Sequence, residues 1–175
     1  DGVEPFKPLP AKQAFPMLEW GMNWCIASFA HRWLLVHAAV LARGEHAVLM
    51  PAKSGSGKST LCAAMAMSGW RLLSDEIAVI DPESGAVAPL ARPIGIKNES
   101  IEVIRSAFPE AVLSAPVPDT AKGTLAHVAP PPDAVQAMRD VARVRWVVFP
   151  KWQAGAGTDF APLEPAATLP ALIEN

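Results

Sequence analysis

Cysteine is scarce in this chain: its 175 residues hold only Cys25 and Cys62. The two show no metal-ligand spacing and make no disulfide framework, so buried free thiols in a reducing cytoplasm are expected. A dominant charge is lacking as well. With a net charge of -2 there is no polybasic patch, which removes the electrostatic footprint for nucleic acid or an anionic membrane surface. No apolar run reaches membrane-spanning length. The acidic, Pro-rich start carries no signal-sequence pattern, and no internal repeat is visible.

What is present is a hydrophobic content of 51% in a length that suits one domain with a substantial core. The 18 prolines sit at element boundaries, as at 8, 10 and 130–132, where they act as punctuation. The chain stops at residues 169–175 inside a helical pattern, which leads to the expectation of a single domain over 1–175, truncated at its C-terminus.

Hydrophobic periodicity supplies the elements. Leu18, Met22, Cys25, Ile26 and Phe29 predict an amphipathic helix over 18–32, with Trp20 and Trp24 in the core. Two apolar runs, 33–43 and 46–50, joined by Gly44-Glu45, predict an antiparallel hairpin. A helix follows over 58–67, then short strands at 70–73 and 77–80, a turn at 81–85 and a partner strand at 86–90. Further on, the pattern predicts a helix over 99–107 capped by Asn98, a strand over 123–128, a helix from Asp133 to Ala142 and a strand over 144–149. The fold class expected is α/β, with a mixed, partly antiparallel sheet and flanking helices.

Between the strand ending at Met50 and the helix at 58–67 stands Ala52-Lys-Ser-Gly-Ser-Gly-Lys-Ser-Thr60. Glycines 55 and 57 let successive N–H groups turn inward on one anion, and the helix start adds unsatisfied donors. This order of strand, glycine loop and helix start is the pattern of a phosphate-binding P-loop. Ser54, Gly55, Ser56, Gly57, Lys58, Ser59 and Thr60 are the candidate ATP-binding residues. Lys58 supplies a cation for the β and γ phosphates, and Ser59 is placed to ligate Mg²⁺. Ala52 stands where the general pattern has Gly.

A second constellation is Leu72-Leu-Ser-Asp-Glu76, whose acids follow Lys58 by 17 and 18 residues. An apolar strand ending in acids beside a triphosphate can ligate the metal and take a proton from an attacking hydroxyl. An ABC-type ATPase would carry a Ser-Gly-Gly signature before such a pair, and a GTPase an Asn-Lys-x-Asp element. Neither occurs.

Taken together, His37-Ala-Ala-Val40, the glycine loop, Arg71-Leu-Leu-Ser-Asp-Glu76 and Arg92-Pro-Ile-Gly-Ile-Lys-Asn-Glu-Ser100 resemble the HPr kinase/phosphorylase superfamily. Its fold is related to the nucleotide domain of phosphoenolpyruvate carboxykinase, and the likeness is to its HPr-related kinase A branch, over residues 18–150. The resemblance implies that Asp75 is the catalytic base, that His37 contacts it, and that Glu76 is a metal-side ligand where the family has Asp. It also matches Arg92, Gly95, Ile96 and Asn98 to a signature stretch, and Lys122-Gly123 to a later phosphate-contacting segment. The acid that opens the signature stretch is Leu90 here, which counts against a second metal site and against phosphorylase activity. Arg92 and Lys97 are cations suited to developing phosphoryl charge, while His31, His46 and His127 are given no role.

The function expected is an ATP- and Mg²⁺-dependent kinase that phosphorylates a serine-type hydroxyl of a small protein or peptide. The resemblance implies an HPr-like acceptor or one associated with a PqqD-type peptide chaperone, and a homo-oligomer. Two alternatives stand beside it: an ATP-binding sensor without transfer activity, and a kinase for a small molecule such as free serine.

Overall fold

In the computed structural model, residues 9–173 are described. They form a mixed α/β structure in which the strand pairings close on themselves. The hairpin is present as β1 (Leu34–Arg43) and β2 (His46–Pro51), antiparallel with Arg43 opposite His46. Gly44 holds a φ of 60° in the turn, a left-handed geometry that glycine adopts without a Cβ clash.

The other face of β1 is shared by two short strands. β3 (Arg71–Ser74) pairs with residues 40–42, and β4 (Ile77–Ile80) pairs with residues 34–37. Ser74, Asp75 and Glu76 therefore form a bend held against the middle of one long strand. β5 (Ala86–Ala88) continues antiparallel from β4, and after β6 (Ile94–Lys97), β7 (Val117–Thr120) and β8 (Gly123–Val128) comes β9 (Ala142–Val147). β9 pairs antiparallel with β5 and parallel with β2, so the order β1, β2, β9, β5, β4 returns to β1. Small and branched aliphatic residues fill this ring, among them Ala38, Val40, Leu49, Leu73, Ala78 and Val87. β6, β8 and β7 make a separate antiparallel sheet.

Among the described residues five α-helices flank these sheets: α1 (Ala14–Phe29), α2 (Lys58–Met67), α3 (Glu99–Ala107), α4 (Pro132–Gln136) and α5 (Pro165–Ile173). α2 presents Cys62, Ala63 and Ala66 to a second core with Leu41, Met50, Leu72, Ile94, Ile96, Ile101 and Ile104. Small residues on α2 bring its backbone close to the sheet, which fixes the helix start beneath the glycine loop. No helix among the described residues is long and apolar enough to cross a membrane.

Several elements depart from the sequence pattern. α1 starts and ends earlier than 18–32, and its apolar stripe is open: Leu18, Cys25 and Phe29 are exposed, and Trp24 is 59% exposed instead of lying in the core. The buried residues of α1 are Pro16 and Glu19, so the helix turns its polar side inward, toward the site. The helix expected from Asp133 to Ala142 stops at Gln136, because β9 takes Ala142 as its first residue and buries it. Asn98 makes no side-chain cap; it adopts a φ of 54° and its Oδ1 accepts the Thr124 N–H at 3.1 Å. A Cβ at Gly123 would stand 2.5 Å from that Oδ1, which is why glycine opens β8. β6 and β7 were not anticipated from the pattern, being four residues each.

The expectation of two buried thiols holds for Cys62 alone. Burial pushes its thiol well above the ordinary range, whereas Cys25 is exposed. Titration of the native protein with a disulfide reagent is expected to give one fast thiol that Cys25→Ser abolishes, with Cys62 reacting only on unfolding. Two fast thiols would contradict this packing.

Candidate active site

The site is built where β2 and β3 both end and α2 begins. β2 delivers the loop 52–57, whose Gly55 and Gly57 take φ values of 91° and 85°. That geometry is unfavourable for residues with a Cβ and curls the loop onto the first turn of α2. Lys58, the first residue of α2, is buried. Its ammonium donates to the Asp75 carbonyl at 3.2 Å and lies 3.2 Å from His37 Nε2 and 3.9 Å from Glu76 Oε2.

His37 reaches this point because β1 changes partner there. It is the last residue in register with β4, opposite Ile77, and the Ala38 N–H bonds the Glu76 carbonyl at 3.1 Å. His37 Nε2 then stands 3.0 Å from Glu76 Oε2. Placing the imidazole proton on Nε2 satisfies this contact with the carboxylate, and leaves Lys58 to donate to the Asp75 carbonyl. Lys122, from the turn between β7 and β8, brings a second ammonium to Glu76 Oε1 at 3.4 Å.

The two acids differ in exposure, and His37 meets Glu76 instead of the Asp75 that the resemblance implied. Asp75, the expected base, is only 6% exposed; its Oδ2 accepts the Gly95 N–H at 3.2 Å and its buried Oδ1 has no hydrogen-bond partner among the described residues. Glu76, expected on the metal side, has a side chain 31% exposed and carries the close contact with His37. Burial raises the Asp75 carboxyl to about 6, against the pull of Lys58 and the Ser59 hydroxyl. Glu76 is held down to about 2, first by the hydrogen bond from His37 and further by Lys58 and Lys122, with burial opposing.

The remaining expected residues divide between the loop and its surroundings. The Ser54 hydroxyl accepts Lys97 Nζ at 2.8 Å, which brings that cation to the loop. Ser56 Oγ is buried without a partner among the described residues, and Thr60 Oγ1 bonds Ser100 Oγ at 2.7 Å, tying α2 to α3. Arg92 turns to α1 instead of the loop: it hydrogen-bonds Asn23 and stands 3.7 Å from Glu19, while its Nε has no partner among the described residues. Glu19 and Asn23 carry no motif and were missed. So was Trp152, whose N–H bonds the Ser56 carbonyl at 2.9 Å. Nothing in the sequence around it signals the loop.

Asp75 binds a proton more tightly folded than unfolded, so its contribution to stability is full below about pH 4 and is lost as the pH rises through about 6. Relative to Asp75→Asn, the wild type is expected to lose about 2 kcal/mol of unfolding free energy between pH 4 and pH 7. Glu76 acts oppositely, but its loss on acidification lies lower, toward pH 2. Urea unfolding across the range checks the difference, and a flat difference would contradict the burial of Asp75. No protein-family model, no curated protein and no solved structure matches the chain, so its functional reading rests on these residues.

Proposed function

We propose that this chain is an ATP-dependent kinase that transfers the γ-phosphoryl group to a serine-type hydroxyl of a small protein or peptide. The reading is the one that the resemblance to the HPr kinase/phosphorylase superfamily implies. The observation that carries it is the Lys58 ammonium, set at the start of α2 beneath the glycine loop with the partly exposed Glu76 3.9 Å away. A cation at a helix start suits a polyphosphate, and an acid beside it suits an acceptor proton.

Geometry favours an exchange of roles between the acids. Glu76 is the one an acceptor can approach: His37 holds its Oε2 at 3.0 Å and Lys122 its Oε1 at 3.4 Å, so the acceptor proton passes to the remaining lone pair of the more loosely held Oε1. The new bond joins the acceptor oxygen to the γ-phosphorus, and the bond to the β-phosphate oxygen breaks to leave ADP. In this state the hydrogen bond from His37, and after it Lys58 and Lys122, keep Glu76 a weak base. Transfer of the Lys58 ammonium to phosphate oxygens relieves part of that restraint and strengthens the base when the nucleotide is in place.

The residues also fit Mg²⁺. Asp75 Oδ1 is an unpartnered carboxylate oxygen, and the Ser59 hydroxyl lies near enough to Asp75 to lower its pKa. Oxygen donors of this kind suit a hard cation that takes its remaining ligands from phosphate and water. Among the described residues no group of three or more His, Cys, Asp or Glu is arranged to hold a metal ion by itself, so phosphate and water would have to complete the coordination. Mg²⁺ would supply neutralisation of the β and γ phosphate charge; Ser59 and Asp75 would hold it.

The burial of Asp75 also favours a second reading, an ATP sensor without transfer. Incubation with labelled ATP and an HPr-like protein, a PqqD-type chaperone with its peptide, or free serine separates the readings. Phosphorylation of a protein or peptide is expected, falling about 100-fold or more in Glu76→Gln with ATP affinity retained. ATP binding with no transfer to any acceptor would favour the sensor, and transfer to free serine alone a small-molecule kinase.

A further inference from the structure

The stretch after β9 continues beside β2 toward the glycine loop. Parallel pairing carries Val147 opposite Leu49, and the Val148 N–H bonds the Leu49 carbonyl at 2.9 Å. Four residues later the Trp152 N–H bonds the Ser56 carbonyl, also at 2.9 Å. The contact is close enough that a Cβ at Gly57 would meet Trp152 Cβ at 3.0 Å. Trp152 is nevertheless 68% exposed. The backbone is thus pinned to the outer side of the loop while the indole stays open beside it.

We propose that Trp152 is a stacking platform for the base of the nucleotide whose phosphates the loop holds. The inference rests on the nucleotide reading above and names the surface that receives the other end of the ligand. A nucleoside triphosphate bound at residues 54–60 leaves its base outside the loop, where a flat aromatic face offers apolar area and π-stacking. Because the Trp152 backbone is bonded to Ser56 before any ligand arrives, little ordering remains to oppose binding. Stacking of this kind tolerates every base. Trp152 therefore separates nucleotides from other polyphosphates, without choosing between ATP and GTP.

Calorimetric titration of wild type, Trp152→Ala and Trp152→Phe with ATP, GTP and inorganic tripolyphosphate tests this. Trp152→Ala is expected to weaken ATP and GTP roughly tenfold and tripolyphosphate hardly at all, and Trp152→Phe to restore most of the loss. Equal weakening of all three ligands, or of none, would overturn the stacking role while leaving the nucleotide reading intact. Wild-type protein that binds tripolyphosphate as tightly as ATP would also overturn it. If the wild type binds none of the three, the nucleotide reading falls and the stacking role with it. The exposure of the indole makes unfolding of either variant unexpected, and a thermal melt checks that both remain folded.

Discussion

One buried cation organises the centre of this protein. Lys58 begins α2, and its ammonium joins the helix to the Asp75 carbonyl, to His37 and to Glu76. A buried ammonium is costly unless it is paired and hydrogen-bonded, so the Asp75 carbonyl and the Glu76 carboxylate have to stand where they do. Three separate pieces of chain are thereby fixed about one point: the start of a helix, the middle of β1 and the bend between β3 and β4.

The sheet makes this convergence possible. β1 is ten residues long and gives one stretch of its edge to β3 and another to β4. The interruption between those partners is where Asp75 and Glu76 leave the ladder, one carboxyl going inward and the other outward. Their opposite pKa shifts follow from that divergence: burial dominates at Asp75, and the hydrogen bond from His37 dominates at Glu76. α1 closes one side with polar residues, Glu19 and Asn23 on Arg92, and leaves its apolar stripe outward. Burial raises the Glu19 carboxyl, the Glu76 charge raises it further, and Arg92 lowers it, which places α1 within the field of the same centre.

Much of this was legible from residue patterns. The β1–β2 hairpin, α2 and the 123–128 strand were readable because apolar runs with Gly at the turns leave few alternatives. The spacing from Lys58 to Asp75 and Glu76 anticipated that loop and acids meet. What failed was orientation. A helical stripe at Leu18, Cys25 and Phe29 reads as a buried face, but burial depends on what the rest of the chain brings against it, and here it brings Arg92 to the opposite side. Which of two adjacent acids faces inward is likewise decided by strand register, which neighbouring letters do not encode. Trp152 reaches the loop through pairing with a strand some hundred residues earlier, a relation that no local pattern carries.

The proposed activity therefore turns on what the Lys58 ammonium does when a polyphosphate arrives. Its most direct test is the dissociation constant for Mg²⁺-ATP of Lys58→Ala against wild type, with folding of the variant verified by circular dichroism. Loss of a charge-assisted contact predicts affinity weaker by roughly 10- to 100-fold. Unchanged affinity in a folded variant would mean that Lys58 holds the protein together and nothing else, and would contradict the central claim.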